Sequence, residues 1–295
     1  MINPEARIYI NGKFYAPADA KISVFNWSFI YGDGVFEGLP MHKGRCFRLM
    51  QHLDRLYTSI THMQIPFTLK REEIVEIVRQ TVKENKLSDG YMRFLVARGT
   101  GPTGLRNIDM LQGPDIVVIP QLETQRTTEE SAQMKVRAKT VGVRRTPPEC
   151  LDPRVKANNY QNMILAKLEQ RAAGADQAIM LDIHGFIAEG PAENIFAVRQ
   201  GKLLTPLPHN VLNGVTRGAI MEIGTDQGLN VREMNMTLHD LYNADELFVS
   251  GSLHGIAPIT EIDGRKVGEG KMGPISRKIL EQYWAMEAQE GYRLM

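Results

Sequence analysis

Two carboxylates, Glu189 and Glu193, flank a Gly-Pro pair in FIAEGPAENIF, a stretch that otherwise reads apolar. An acid taken out of water needs a cationic or hydrogen-bonding partner, so an acid in such a stretch raises the question of what it serves. Three further segments carry complementary chemistry. HLDRL at 52–56 offers Arg55, a fixed positive charge able to grip two phosphate oxygens. NGVTR at 213–217 enters a helix at Gly214, Val215 and Thr216, where free backbone N–H groups and the positive end of the helix dipole favour a phosphate and Thr216 adds a hydroxyl. SGS at 250–252 adds Ser252 beside Gly251 after a strand. With DPRVKANNY at 152–160, these segments could together hold a phosphorylated aromatic cofactor. Taken singly, Thr216 also reads as a helix cap, Arg55 as a solvated helix residue, and Glu189 and Glu193 as exposed turn glutamates.

Other motifs carry less. GTGPTG at 99–104 satisfies G-x-G-x-x-G after a strand, but a proline interrupts it, LRNIDMLQG is a poor helix, and no strand ending in an acid follows about 20 residues on. The seven histidines form no H-E-x-x-H and no cluster with cysteine and carboxylate, so no metal site is expected. SGSLHG lacks the G-x-S-x-G spacing of a nucleophile elbow, which leaves a hydrolase unsupported.

The elements that must position these residues alternate between periods of two and of 3.6. RIYINGKFY reads as a hairpin around Asn11-Gly12, HLDRLYTSITHM and residues 71–86 as helices, and YMRFLVAR and DIVVIP as strands. The polar QLETQRTTEESAQMK contains the expected linker at 122–133. Beyond it, MKVRAKTVGV reads as a strand. Tyr160, Met163, Ile164 and Leu168 recur at helical spacing up to Gly174. DQAIMLD, FIAEG, NIFAVR and KLLTP are expected strands, residues 216–228 a helix, ELFVS a strand, Asp263-Gly264 a hairpin turn, and the chain from about 274 an amphipathic helix. The fold class is therefore α+β in two domains, an N-terminal one over 1–121 and a C-terminal one over 134–295 that contains Lys156.

A chain of 295 residues with 43% hydrophobic content can bury a large core. Thirty-five Lys and Arg against thirty-four Asp and Glu give a net charge of +1 with no basic run, which disfavours nucleic acid as a partner. The N-terminal residues lack a signal-peptide pattern and no apolar run approaches 18 residues, so a cytoplasmic protein without a membrane span is expected. Cys46 and Cys150 show neither metal-ligand spacing nor a disulfide framework.

YGDGVFEG (31–38), HLDRL, YMR (91–93), KANNY (156–160), EGPAENIF (189–196), GVTR (214–217) and SGSLHGIAPI (250–259) follow one another in an order that covers nearly the whole chain. This series resembles the class IV aminotransferases, the fold-type IV pyridoxal-phosphate enzymes, and among them the branched-chain amino acid aminotransferases. The resemblance implies a two-domain fold like that of D-amino acid aminotransferase and pyridoxal 5'-phosphate as cofactor. It implies that Lys156 holds the cofactor covalently and later moves the substrate proton, that Tyr160 touches the ring phenolate, and that Glu189 faces the pyridine nitrogen. Arg55, Val215, Thr216 and Ser252 are implied to bind the phosphate. Tyr31, Phe36, Gly38, Tyr91 and Arg93 are implied to form the substrate pocket, with backbone groups of Ser252 and Leu253 assisting the substrate carboxylate. The implied reaction transfers the amino group of L-leucine, L-isoleucine or L-valine to 2-oxoglutarate in at least a homodimer. The same fold also serves D-amino acid and (R)-amine transaminases and aminodeoxychorismate lyases, and a non-catalytic pyridoxal-phosphate carrier is the reading from another class. The chain departs from the branched-chain pattern at Pro40, where bacterial enzymes commonly carry a basic residue, and in the GTGPTGLRN loop.

Overall fold

The computed structural model describes residues 3–123 and 126–295. In chain order the elements are β1 (Ile8–Ile10), β2 (Lys13–Tyr15), α1 (Trp27–Tyr31), β3 (Gly34–His42), β4 (Arg45–Phe47), α2 (Leu49–His62), α3 (Arg71–Glu84), β5 (Gly90–Ala97), β6 (Asp115–Leu122), α4 (Thr128–Gln133), β7 (Val136–Thr140), α5 (Gln161–Ala172), β8 (Gln177–Ile179), β9 (Asn194–Arg199), β10 (Lys202–Pro206), α6 (Val215–Asp226), β11 (Asn230–Met234), α7 (Leu238–Tyr242), β12 (Glu246–Gly251), β13 (Gly255–Ile262), β14 (Arg265–Lys266), α8 (Pro274–Glu290) and β15 (Gly291–Arg293). Short 3₁₀ turns occupy Leu105–Met110 and Pro208–Asn210. Among the described residues no helix is long and apolar enough to cross a membrane.

The chain divides into two compact units. The first comprises Met1–Gln125, Val155–Tyr160 and Glu287–Met295 and is built on an antiparallel sheet in the order β15-β4-β3-β5-β6-β1-β2. Asn11 and Gly12, at φ 45° and 92°, take the left-handed conformations that close the expected β1–β2 hairpin. Along β5 the even positions Met92, Phe94 and Val96 bury into the core, where Val35, Leu39 and Met41 of β3 meet Leu49, Leu53, Leu56 and Ile60 of α2 and the apolar stripe of α3. Each such buried side chain contributes about 1.5–3 kcal/mol. The odd positions of β5, Tyr91, Arg93 and Leu95, are left for the opposite face of the sheet.

The second unit, Arg126–Arg154 and Gln161–Met286, carries a mixed sheet in the order β11-β10-β9-β12-β13-β7-β8, with β14 paired to β13. Its core gathers Ile179, Ile187, Ile195, Ala197, Leu204, Leu247, Val249, Ile259 and Ile262. Gly174, at φ 66°, ends α5 where the sequence placed the stop.

Three expectations need correction. The linker expected at 122–133 is structured at both ends: Leu122 closes β6 and residues 128–133 form α4, while positions 124 and 125 lie outside the described residues. A capping box at Thr127 and Glu130 nucleates that polar helix, which composition alone concealed. Lys156 belongs to the first unit and not to the C-terminal one. The peptide around it hydrogen-bonds to β3, with the Phe36 N–H donating to the Lys156 carbonyl at 2.9 Å and the Asn158 N–H to the Gly34 carbonyl at 2.8 Å. FIAEG forms no strand. It pairs with residues 180–182 through an isolated bridge between Leu181 and Ile187 and a few backbone hydrogen bonds before the chain turns at Gly190-Pro191.

Candidate active site

Strand alternation and the β3–β5 register put Phe36, Gly38, Tyr91 and Arg93 on one face of the first sheet, with Gly38 opposite Arg93 and Phe36 opposite Leu95. Phe36 is the centre of this face. The Arg93 guanidinium lies 4.5 Å from its ring centroid, the Lys156 ammonium nitrogen lies 4.7 Å from it, and the Tyr160 ring meets it edge to face at 5.4 Å. Cations near an aromatic face are attracted by its quadrupole. Gly38 is required by close approach, because a Cβ there would fall within 2.6 Å of the Tyr91 ring. Burial raises the Tyr91 phenol above its ordinary value. The Lys156 backbone N–H is fixed by the Ser59 hydroxyl at 3.2 Å.

Tyr31 is held to the 99–112 loop. Its hydroxyl accepts the Gly104 N–H at 2.9 Å and its ring packs edge-on to Trp27 at 5.0 Å.

Behind Phe36, on the helix side of β3, stands Glu37, an acid that sequence reasoning missed. It is fully buried and receives Arg55 through two parallel bonds, Nε to Oε1 at 2.7 Å and Nη2 to Oε2 at 2.8 Å, while His52 Nδ1 lies 2.8 Å from Oε2. Burial alone would raise this carboxyl, but the Arg55 charge and the bonds from Arg55 and His52 carry it well below the usual carboxylate range. Burial also holds His52 below the ordinary histidine value, and the charge of Glu37 lifts Arg55 despite burial. The Arg55 edge that could have gripped two phosphate oxygens therefore takes a carboxylate of its own chain. The signal was legible: a lone acid within the strand GVFEGLPMH, and a histidine and an arginine at i and i+3 on the helix that covers it.

In the second unit Glu189 is 3% exposed. Its Oε1 accepts Arg145 Nε at 2.8 Å, and its Oε2 accepts Asn194 Nδ2 at 3.1 Å and the Leu212 N–H at 3.0 Å. Three donors satisfy this buried carboxylate. Arg145 and Asn194 were not anticipated. Arg145 lies 44 residues from its partner in a segment with no pattern, whereas Asn194 stood in the EGPAEN motif without an assigned role. Glu193 does something else: its Oε2 accepts Gln177 Nε2 at 2.9 Å and the Ala192 N–H at 3.1 Å, and its carbonyl takes the Gly190 N–H, closing the turn.

Helix α6 starts at Val215, with Gly214 as an N-cap that supplies no side chain, and no acid stands in its first turn. Its first turn therefore carries neither a capping side chain nor an acid to meet its leading N–H groups. Glycine is needed at 214 because a Cβ would press into Asn194 and come 3.2 Å from Arg217 Cβ. Thr216 is buried, with its hydroxyl 3.3 Å from that of Tyr283. Ser252 and Leu253 sit half-buried in the turn that follows β12.

The first unit offers a lysine beside an aromatic ring and a tyrosine, and the second a helix start without an acid and a buried carboxylate; these are the donor types that a phosphorylated pyridine aldehyde requires: an amine, an anion cradle and a partner for a ring nitrogen. The residues present fit such a group.

Comparison with known proteins gives the same direction. The family model for class IV amino-transferases matches residues 34–262. A putative branched-chain-amino-acid aminotransferase of Methanocaldococcus jannaschii is 40% identical over 289 residues, covering 98% of this chain and 99% of that protein. The branched-chain-amino-acid aminotransferase of Pseudomonas aeruginosa is 35% identical, over 96% of this chain and 94% of its own length. Among solved structures, a T.th. branched-chain amino acid aminotransferase with pyridoxamine 5'-phosphate superposes with a TM-score of 0.91 at 32% identity, covering 98% of this chain and 95% of that one.

Proposed function

Because the chain belongs to the class IV aminotransferases, we propose that it uses pyridoxal 5'-phosphate to move the amino group of L-leucine, L-isoleucine or L-valine to 2-oxoglutarate. The observation that carries this reading is the Phe36 face, where one aromatic ring is shared by the ammonium of Lys156, the guanidinium of Arg93 and the ring of Tyr160. An apolar wall with a cation at its rim suits a pocket that must take a branched side chain in one half-reaction and a second carboxylate in the other.

When bound, the cofactor supplies an electron sink for the pair of electrons left on the substrate α-carbon. Lys156 Nζ would hold it and would carry the proton to and from that carbon. Glu189 would face the ring nitrogen and favour its protonated form, and the Tyr160 hydroxyl would hydrogen-bond to the ring phenolate. The Val215 N–H and the hydroxyls of Thr216 and Ser252 receive the phosphate, with Arg55 adding positive charge. Phe36, Gly38 and Tyr91 shape the side-chain pocket, Tyr31 and Arg93 its polar rim, and backbone groups of Ser252 and Leu253 orient the substrate carboxylate. The enzyme works in the cytoplasm as a homodimer or higher homo-oligomer, a reading supported by the exposed Phe25, Phe29, Leu105 and Met110 of the first unit.

An amino-donor panel with 2-oxoglutarate tests the substrate. Burial of a branched side chain against Phe36 should favour L-leucine, L-isoleucine and L-valine over L-alanine by roughly ten- to a hundredfold in kcat/KM. D-alanine or an (R)-amine outrunning every branched L-amino acid would instead make the chain a transaminase of the opposite stereochemical course.

A further inference from the structure

Arg145 has no place in the roles given above, yet it makes a buried, charged contact to Glu189. Its side chain is 9% exposed and that of Glu189 is 4% exposed. The backbone prepares their meeting. The Arg145 N–H donates to the Leu181 carbonyl at 2.8 Å, and the neighbouring Met180 receives and returns the bonds of the Glu189 segment, its N–H to the Glu189 carbonyl at 3.0 Å and its carbonyl from the Ala188 N–H at 2.9 Å. The segment 180–181 thus fixes the main chains of both residues, and the 2.8 Å bond from Nε to Oε1 follows from that scaffold.

A buried carboxylate opposite a basic ring nitrogen shares one proton with it in two possible ways. In the ionic form the proton is on nitrogen and the carboxylate is charged; in the other form the proton has moved to oxygen and both partners are neutral. Away from water the neutral form gains, because neither group must be desolvated as an ion. A guanidinium bonded to the same carboxylate reverses that preference, since it attracts the charged form far more than the neutral one. Asn194 and the Leu212 N–H also favour the anion, but they are neutral donors and weaker in this respect. We propose that Arg145 is a positioning residue that keeps the proton shared by Glu189 and the cofactor on the ring nitrogen, so that the electron sink stays in its charged form. This inference rests on the assignment of Glu189 to the ring nitrogen.

The test is the nitrogen NMR signal of holoenzyme loaded with pyridoxal phosphate labelled with ¹⁵N in the ring, which reports protonation directly. Glu189→Gln sets the reference for a nitrogen without its acid. Arg145→Gln keeps a neutral donor toward Glu189 and should move the signal most of the way to that reference. Its kcat should fall at least about tenfold while KM changes less than about threefold, as expected when a transition-state interaction alone is lost. Arg145→Lys restores the charge and should return the signal toward the wild-type position. Arg145→Met, neutral and similar in volume, gives the same reading if the glutamine variant does not fold. A wild-type signal in the neutral variants, or equal displacement in the lysine and glutamine variants, overturns the inference while leaving Glu189 in its role. A wild-type signal in Glu189→Gln overturns the assignment of Glu189 itself, and this inference falls with it.

Discussion

Each unit buries one carboxylate against one arginine, and the two pairs are built differently. Glu37 is seized by side chains of a single helix: Arg55 binds it through two parallel bonds and His52 approaches the same oxygen, all within the packed layer between α2 and β3. Glu189 meets its arginine through one bond and is otherwise held by an amide and a backbone N–H contributed by loops and a strand end. The first arrangement ties the helix to the strand beneath it. The second holds its carboxylate through single bonds from separate segments of the chain. Burial and an arginine partner are common to both acids; the geometry of the remaining donors is what differs.

The largest consequence should appear at Glu37. Glu37→Ala leaves Arg55 and His52 inside the layer without their carboxylate, and removal of one member of such a pair costs about 3–5 kcal/mol of stability. Urea unfolding of the cofactor-free protein measures it, and a loss below about 1 kcal/mol would erase the distinction between the pairs.

Glu189→Gln should do the reverse. The amide keeps the shape of the side chain, so the stability loss should be near 1–3 kcal/mol, the cost of an impaired buried hydrogen-bond set. Turnover should nevertheless drop by about 100-fold from lost electrostatic stabilisation, with cofactor still bound. If instead Glu193→Gln abolished turnover and Glu189→Gln were active, the two acids of EGPAEN would exchange roles.

The smallest effect is in the acid limb of stability. Glu37 binds its proton more weakly folded than unfolded, so on acidification the unfolded chain takes up the proton first. Its contribution is complete above about pH 4.5 and declines as pH falls below that value. His52, whose value is also depressed, removes stability in the same direction below about pH 6.5, the ordinary histidine value. Glu37→Gln should therefore flatten the slope below pH 4.5 by up to about 1.4 kcal/mol per pH unit while leaving the limb near pH 6 in place. An unchanged slope in equilibrium denaturation between pH 3 and 4.5 would mean that Glu37 is not held as an ion.

Much of this was legible in the sequence because short-range periodicity announces strands and helices. The Asn11-Gly12 hairpin, the Leu49–His62 helix and the β5 alternation all lie where local pattern placed them. The ordered motifs also led to the class IV family before any geometry was known. What stayed hidden was long-range. Nothing local distinguishes Arg145 from Arg144, and only the fold chooses which of the two turns toward Glu189. The assignment of Lys156 to the C-terminal domain failed for the same reason, since sequence order says nothing of a short peptide that pairs with a strand 120 residues earlier. Glu37 is the intermediate case, visible as an anomaly in an apolar strand yet interpretable only once α2 lies over it.

That short peptide, with the pairing of β15 to β4, also sets the order in which a nascent chain can mature. At about 5–20 residues per second, synthesis of 295 residues occupies on the order of 15–60 s. Throughout that interval the N-terminal sheet lacks its edge strand, which pairs residues 291–293 with 45–47, and for roughly the first half it also lacks the lysine-bearing peptide. The part of the molecule that is translated first is therefore finished last, because its sheet closes only once residues 291–293 have been made.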